Sequence, residues 1–353
     1  MPPGISPHIP TYLNNSSEFM PIPLSAVERG IAGAVKYEVH KLCNQRLTHM
    51  YATVDSIQQE LFQNDYIAER GLATAIFLSL KLGKPLFLEG EAGVGKTEIA
   101  KVLSRMLQTD LIRLQCYEGL NASSALYEWN YAAQMLHLRL LEASGANRDA
   151  MEHELFTRQF LQSRPLLQAI ETSQSGHPPV LLIDEIDRAD EEFEAFLLEL
   201  LSDFQVTIPE LGTISTDTPP VVIITSNRTR EVHDALKRRC LYYWIDYPTF
   251  EKELRIVRAK APEVEPELAR QITAFIQEMR EMDLFKAPGV AETLDWTAAL
   301  IALDQRALTL DVITETLGVI LKYQDDIDLL TTDALTALNN RAILQAQTES
   351  MTG

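Results

Sequence analysis

Residues 90–101 read GEAGVGKTEIAK, three glycines ahead of a lysine and a threonine. The first eight residues fit the spacing G-x-x-x-x-G-K-[ST] in full. They follow the apolar run "KPLFLEG" (84–90) and open "KTEIAKVLSRMLQ" (96–108), whose Ile99, Val102, Leu103 and Met106 share one helical face. A strand, a glycine loop and a helix in that order form a phosphate cradle. Glycine lets backbone N–H groups converge on phosphate oxygens, and the helix N-terminus adds its positive dipole. Gly90, Glu91, Ala92, Gly93, Val94, Gly95, Lys96 and Thr97 are therefore predicted to hold a nucleotide, with Lys96 on the outer phosphates and Thr97 a ligand to Mg²⁺.

Working outward, "LIRLQC" (111–116), "PVLLID" (179–184) and "PVVIITS" (220–226) are further strand-like runs separated by helical patterns. Parallel strands need crossover connections, so the alternation predicts an α/β fold with a parallel sheet. Phe193, Phe196, Leu197, Leu200, Leu201 and Phe204 recur at helical spacing and read as core, with Glu191, Glu192, Glu194, Glu199 and Asp203 on the other side. "QVTIPELGTIS" (205–215) alternates around a Pro-Glu-Leu-Gly turn and reads as a hairpin. Beyond Tyr247-Pro248 only helical patterns remain. The predicted division is a partly mobile extension over 1–64 with a helix at Leu24–His49, an α/β core over 65–248, a helical lid over 249–335, and a helix end with a polar tail over 336–353.

Three more elements carry chemistry. In "VLLIDEIDRAD" (180–190) an apolar strand ends in Asp184-Glu185, at the sheet edge where open α/β sheets bind ligands. Asp184 is placed to hold Mg²⁺ through water, and Glu185 to orient and deprotonate an attacking water. In "VVIITSNRTR", Asn227 follows the next strand and can position that water. In "ALKRRC", Arg238 and Arg239 have no evident internal use and suit delivery to a neighbour's γ-phosphate.

Composition narrows the function. Fifty acidic against 31 basic residues give a formal charge of −19, a field that repels polyphosphate backbones, so no nucleic-acid partner is expected. Three scattered cysteines suggest no disulfide framework and a reducing, cytoplasmic setting. No run is long and apolar enough for a membrane span, and the first residues do not read as a signal peptide.

The four elements in this order, followed by a helical region, resemble the AAA+ ATPases over roughly residues 65–335. The resemblance makes Gly90–Thr97 the Walker A motif, Asp184-Glu185 Walker B, Asn227 sensor 1, Arg239 the arginine finger with Arg238 as runner-up, and 249–335 the lid. The hairpin at 205–215 and a helical stretch at 132–170 stand where the MoxR branch carries its insertions. "IRLQCYEGLNASSALYEWNY", "DEEFEAFLLELLSDFQVTIPELGTI", "TSNRTREVHDALKRRCLYYWIDYP" and "PGVAETLDW" look like the CoxD-like subgroup. That subgroup is associated with maturation of molybdenum hydroxylases such as carbon monoxide dehydrogenase. One departure is that "APGVAETLDW" has no arginine where a sensor 2 would fall, near Thr293.

The resemblance implies an ATP- and Mg²⁺-dependent homo-hexamer that remodels a protein client, a molybdenum hydroxylase, together with a von Willebrand factor A-domain partner. Val206–Ser215 and the aromatic-rich segment 117–130 are candidate client loops, the latter with Tyr117, Tyr127 and Trp129, and Tyr131 just beyond it. The alternatives are a DNA-dependent AAA+ motor or loader and a small-molecule kinase.

Overall fold

The computed structural model describes residues 53–144 and 154–352, so the segment expected to be mobile (1–22) and the expected helix Leu24–His49 lie outside the described residues. Five parallel strands form the main sheet: β1 (Leu86–Gly90), β2 (Leu111–Gln115), β5 (Val180–Asp184), β8 (Val221–Ser226) and β9 (Leu241–Ile245), in the order β2-β5-β8-β1-β9. The three central strands are almost wholly buried, which is why they read as continuous apolar runs.

Alternation along each strand divides the core between the two faces of the sheet. Leu86, Leu88, Val180, Leu182 and Ile223 pack with α1 (Val54–Gln63), α2 (Arg70–Leu82) and α3 (Lys96–Leu107). Phe87, Leu181, Ile183, Val222 and Ile224 pack on the opposite face. That face is covered by α6 (Pro165–Gln174) and α7 (Glu191–Asp203), including Phe193, Leu197, Leu200 and Leu201 of the expected stripe. Asp190 caps α7, its side chain accepting from the Phe193 N–H at 2.8 Å. The expected hairpin is present as β6 (Gln205–Ile208) and β7 (Gly212–Ser215).

One expectation is corrected. The stretch 132–170 is not one helical run. Helix α5 (Tyr131–Ser144) is followed, past residues 145–153, by β4 (Leu161–Ser163), which pairs antiparallel with β3 (Tyr127–Trp129) because Trp129 and Leu161 bury their side chains side by side. Leu241–Ile245 adds the edge strand β9, parallel to β1. In α1, Ile57 and Leu61 are fully buried in the same cluster as Ile99 of α3.

The lid comprises α9 (Phe250–Lys260), α10 (Pro266–Arg280), α11 (Val290–Ala302), α12 (Leu310–Ile320), α13 (Gln324–Leu329) and α14 (Thr332–Thr352). Its apolar cluster runs from Phe250 to Ala346, because Leu335, Leu338, Ala342 and Ala346 of α14 fall at steps of three and four and pack into it. Fully buried Trp296 anchors it, donating its indole N–H to Thr316 Oγ1 at 2.8 Å.

Candidate functional site

The site lies where β1, β5 and β8 end. Gly90 closes β1 so tightly against β9 that a Cβ there would meet the Ile245 carbonyl oxygen at 2.1 Å. Gly93 and Gly95 adopt φ of +79° and +93°, left-handed values that side chains resist, and these turn the loop back into α3. Lys96 folds its ammonium into the loop, donating to the Gly90 carbonyl at 2.8 Å and the Glu91 carbonyl at 2.6 Å. Burial lowers its pKa to about 8, against the pull of Asp187, Glu91, Asp184 and Glu185, which favour the charged form.

Asp184 is 2% exposed and fully engaged. Its Oδ1 accepts from Thr97 Oγ1 at 3.0 Å and from Thr225 Oγ1 at 2.6 Å. Its Oδ2 accepts from Arg113 Nε at 3.0 Å and Nη2 at 2.6 Å. Glu185 sits in the left-handed region, φ 55° and ψ 53°. Its N–H donates to Thr225 Oγ1 at 2.9 Å, so Thr225 binds the side chain of one acid and the backbone of the next. The Glu185 carboxylate faces Asn227 Nδ2 at 3.4 Å on one oxygen. The other oxygen lies 3.0 Å from Gln115 Nε2 and 2.9 Å from Arg188 Nε.

The structure thus brings together Gly90, Glu91, Ala92, Gly93, Val94, Gly95, Lys96, Thr97, Asp184, Glu185 and Asn227. Sequence reasoning missed Arg113, Gln115, Thr225, Asp187 and Glu194. Buried Asp187 accepts from the Asn227 N–H at 3.2 Å and from Thr229 N at 2.9 Å and Oγ1 at 2.7 Å, which sets the loop that carries Asn227. Glu194 was assigned to a solvated helix face; it is 1% exposed and takes Arg230 and the His233 N–H, holding the far end of that loop. Of these, only the two strand-end polar residues Gln115 and Thr225 carry a sequence signal, by their position beside Asp184 in the neighbouring strands.

The two arginines lie apart from this cluster, on α8 (Asp234–Arg239). Arg239 donates within its own chain to the Leu198 carbonyl and Ser202 Oγ. The Arg238 side chain is 82% exposed and, among the described residues, pairs only with Asp234, at 3.8 Å. Thr293 is buried and donates to Glu253 Oε1 at 2.7 Å, so it cannot face a phosphate. Arg280 is likewise withdrawn, its guanidinium paired with both oxygens of Glu253 at 2.7 Å. In the segment 117–131, Trp129 is spoken for by edge-on packing with Tyr127 and Phe156, whereas Tyr117 and Tyr131 are exposed. A cleft of about 330 Å³ opens between core and lid beside the loop, lined among others by Ala92, Trp244, Tyr247, Phe285 and Lys286.

The donor set suits a magnesium nucleotide. Lys96 supplies a cation folded into the loop, and Thr97 with Asp184 offers only hard oxygen ligands.

Comparison with known proteins agrees. Residues 85–240 match the model of the AAA domain, dynein-related subfamily. An uncharacterized protein of Staphylococcus epidermidis is 24% identical over 247 residues, spanning 68% of this chain and 83% of its own. One from Staphylococcus haemolyticus is 25% identical over 238 residues, spanning 65% and 80%. The RuvB Holliday junction branch migration motor of Thermotoga maritima is 18% identical, with 73% of this chain and 70% of that one superposed at a TM-score of 0.39, a likeness too loose to transfer any property. No helix among the described residues is long and apolar enough to cross a membrane. The cradle, both carboxylates and the Asn227 loop all fall inside the span that matches the AAA domain, and the protein is an ATPase that uses ATP with Mg²⁺.

Proposed function

We propose that the protein is a cytoplasmic AAA+ remodeller of the MoxR family and CoxD-like subgroup, a ring that acts as a chaperone in maturing a metalloenzyme, a molybdenum hydroxylase such as carbon monoxide dehydrogenase, alongside a von Willebrand factor A-domain partner. The reading is carried by one observation. Helix α5, in the segment between β3 and β4, leaves Tyr131, Met135, Leu136 and Leu140 each more than half exposed. That much apolar surface on one short helix, in a chain of charge −19, suits a protein client and not a phosphate backbone.

In this reading the loop amides and Lys96 hold the phosphates. Thr97 and Asp184 would hold Mg²⁺, and the ion would neutralise charge developing on the phosphate oxygens. Glu185 takes the proton of the attacking water, and Asn227, 3.4 Å from that carboxylate, aligns the water beside it. We place Arg238 ahead of Arg239 as the arginine offered to a neighbouring subunit, because the Arg239 guanidinium is engaged by Leu198 and Ser202.

The test is a substrate trap. Glu185→Gln, expected to bind ATP without hydrolysing it, is captured from the native cells with Lys96→Ala as control. A molybdenum hydroxylase subunit or a von Willebrand A protein enriched only in the trap supports the reading. Nucleic acid in the trap would replace it with a DNA-dependent motor, and a trap that stays monomeric with ATP removes the ring.

A further inference from the structure

The lid touches the phosphate loop through main chain. The Ala291 N–H, in the first turn of α11, donates to the Gly93 carbonyl at 3.1 Å. Two glycines make this approach possible. A Cβ on Gly289 would meet the Ala92 carbonyl oxygen at 2.7 Å and Gly93 Cα at 2.9 Å; one on Gly93 would meet Glu292 Oε2 at 2.8 Å and Gly289 Cα at 3.2 Å. The lid side of the contact is built to stay in place. Glu292 Oε2 accepts from the Gly289 N–H at 3.0 Å, fixing the start of the helix. Arg280 Nε donates to the Pro288 carbonyl at 2.7 Å. Buried Asp326 accepts from the Phe285 and Lys286 N–H groups at 2.7 and 3.3 Å. The segment 285–289 is therefore pinned from α10, α11 and α13 at once.

The chemistry follows from a planar trans peptide, in which a carbonyl and the next N–H point in opposite directions. The described chain has no cis peptide bonds. Holding the Gly93 carbonyl toward the lid therefore turns the Val94 N–H to the other side of the loop. We infer that Ala291 and Gly289 are positioning residues for nucleotide binding: the lid presets one phosphate-binding amide of the loop through the Ala291–Gly93 hydrogen bond and the Gly289–Gly93 backbone contact, with no lid side chain on the phosphate. The inference concerns how ATP is gripped and is independent of the client or partner proposed above.

Ala291→Pro deletes the donor at a helical position whose N–H has no intrahelical acceptor, where proline is tolerated. Gly289→Ala forces the two backbones apart. Ala291→Gly keeps the N–H and serves as the rescue. KM and kcat for ATP hydrolysis are measured together with the ATP affinity by calorimetry, with circular dichroism to check the fold. Loss of one hydrogen bond corresponds to roughly three- to tenfold. Ala291→Pro and Gly289→Ala are expected to raise both KM and Kd by that factor with kcat within about twofold, and Ala291→Gly to behave as wild type. Unchanged KM and Kd in the two disruptive variants, or a fall in kcat at constant KM, overturns the inference. Should Ala291→Pro fail to fold, Gly289→Ala decides alone. Lys96→Ala separates the underlying site from the lid contact: if it still binds ATP, the site itself is misplaced.

Discussion

Each half of the molecule holds a carboxylate–arginine pair, and the two are built to opposite ends. In the lid, Glu253 and Arg280 are both buried, at 0% and 5% side-chain exposure, and share two hydrogen bonds. Gln277 and Thr293 satisfy what the carboxylate has left. Tyr247 stacks against the guanidinium at 4.7 Å. At the ATP site, Asp184 is equally buried, but its partner Arg113 is 52% exposed on an edge strand. The first pair is complete within the fold. The second joins a buried carboxylate to an arginine whose side chain is half in solvent. Burial of the arginine, more than charge or distance, separates a pair that holds the lid from one that serves chemistry.

The sharpest break of that contrast is Arg280→Ala. It strands a buried carboxylate and is expected to cost about 3–5 kcal/mol, read by chemical denaturation. Arg113→Ala removes a half-exposed partner and is expected to cost at most about 1 kcal/mol while impairing ATP turnover. Equal stability losses would erase the distinction. Glu185→Gln should slow hydrolysis by about a hundredfold or more with the melting temperature unchanged, because the carboxylate is oriented by its neighbours and supports no packing. A large drop in melting temperature would make Glu185 a structural residue like Glu253.

Lys96 sharpens the contrast by pH. With its pKa lowered to about 8, it is charged below that pH and largely neutral above it. Bound phosphate favours the charged form, so above pH 8 ATP binding must take up a proton. Affinity should therefore be flat below pH 8 and fall by up to about tenfold per unit above it, with proton uptake visible by calorimetry in buffers of different ionisation enthalpy. A flat profile to pH 9.5 would mean that Lys96 keeps its proton throughout. Thr225→Val, which keeps the shape but removes the hydroxyl shared by Asp184 and Glu185, is expected to cost about 1–3 kcal/mol in stability.

What the sequence made legible was local. The loop, the acid pair at the end of β5 and Asn227 each depend on a strand, a turn and a few residues of fixed spacing. Contacts that need distant segments were not legible. Glu194 lies among exposed acids of α7, and only the arrival of Arg230 turns it inward. Glu253 and Arg280 look like ordinary charges on amphipathic helices until α9 and α10 pack together. Strand β9 has aromatic residues suited to a strand, but the basic run before it reads as a turn and hides its start. The packing of α14 was not legible either, because its four small or aliphatic contact residues are spread among polar ones, a stripe too thin to stand out before Ala342 and Ala346 find their neighbours.

The placement of the tryptophans gives the protein an optical reporter of its own. Trp129 and Trp296 lie buried in separate apolar clusters. Trp244 is half-buried, lines the cleft between core and lid, and carries the Arg228 guanidinium 5.6 Å from its ring. Trp129 and Trp296 supply a steady background emission, and the intensity and wavelength of Trp244 follow whatever enters or closes that cleft. Occupation of that cleft can thus be followed in real time by intrinsic fluorescence, without a label and in the unmodified chain.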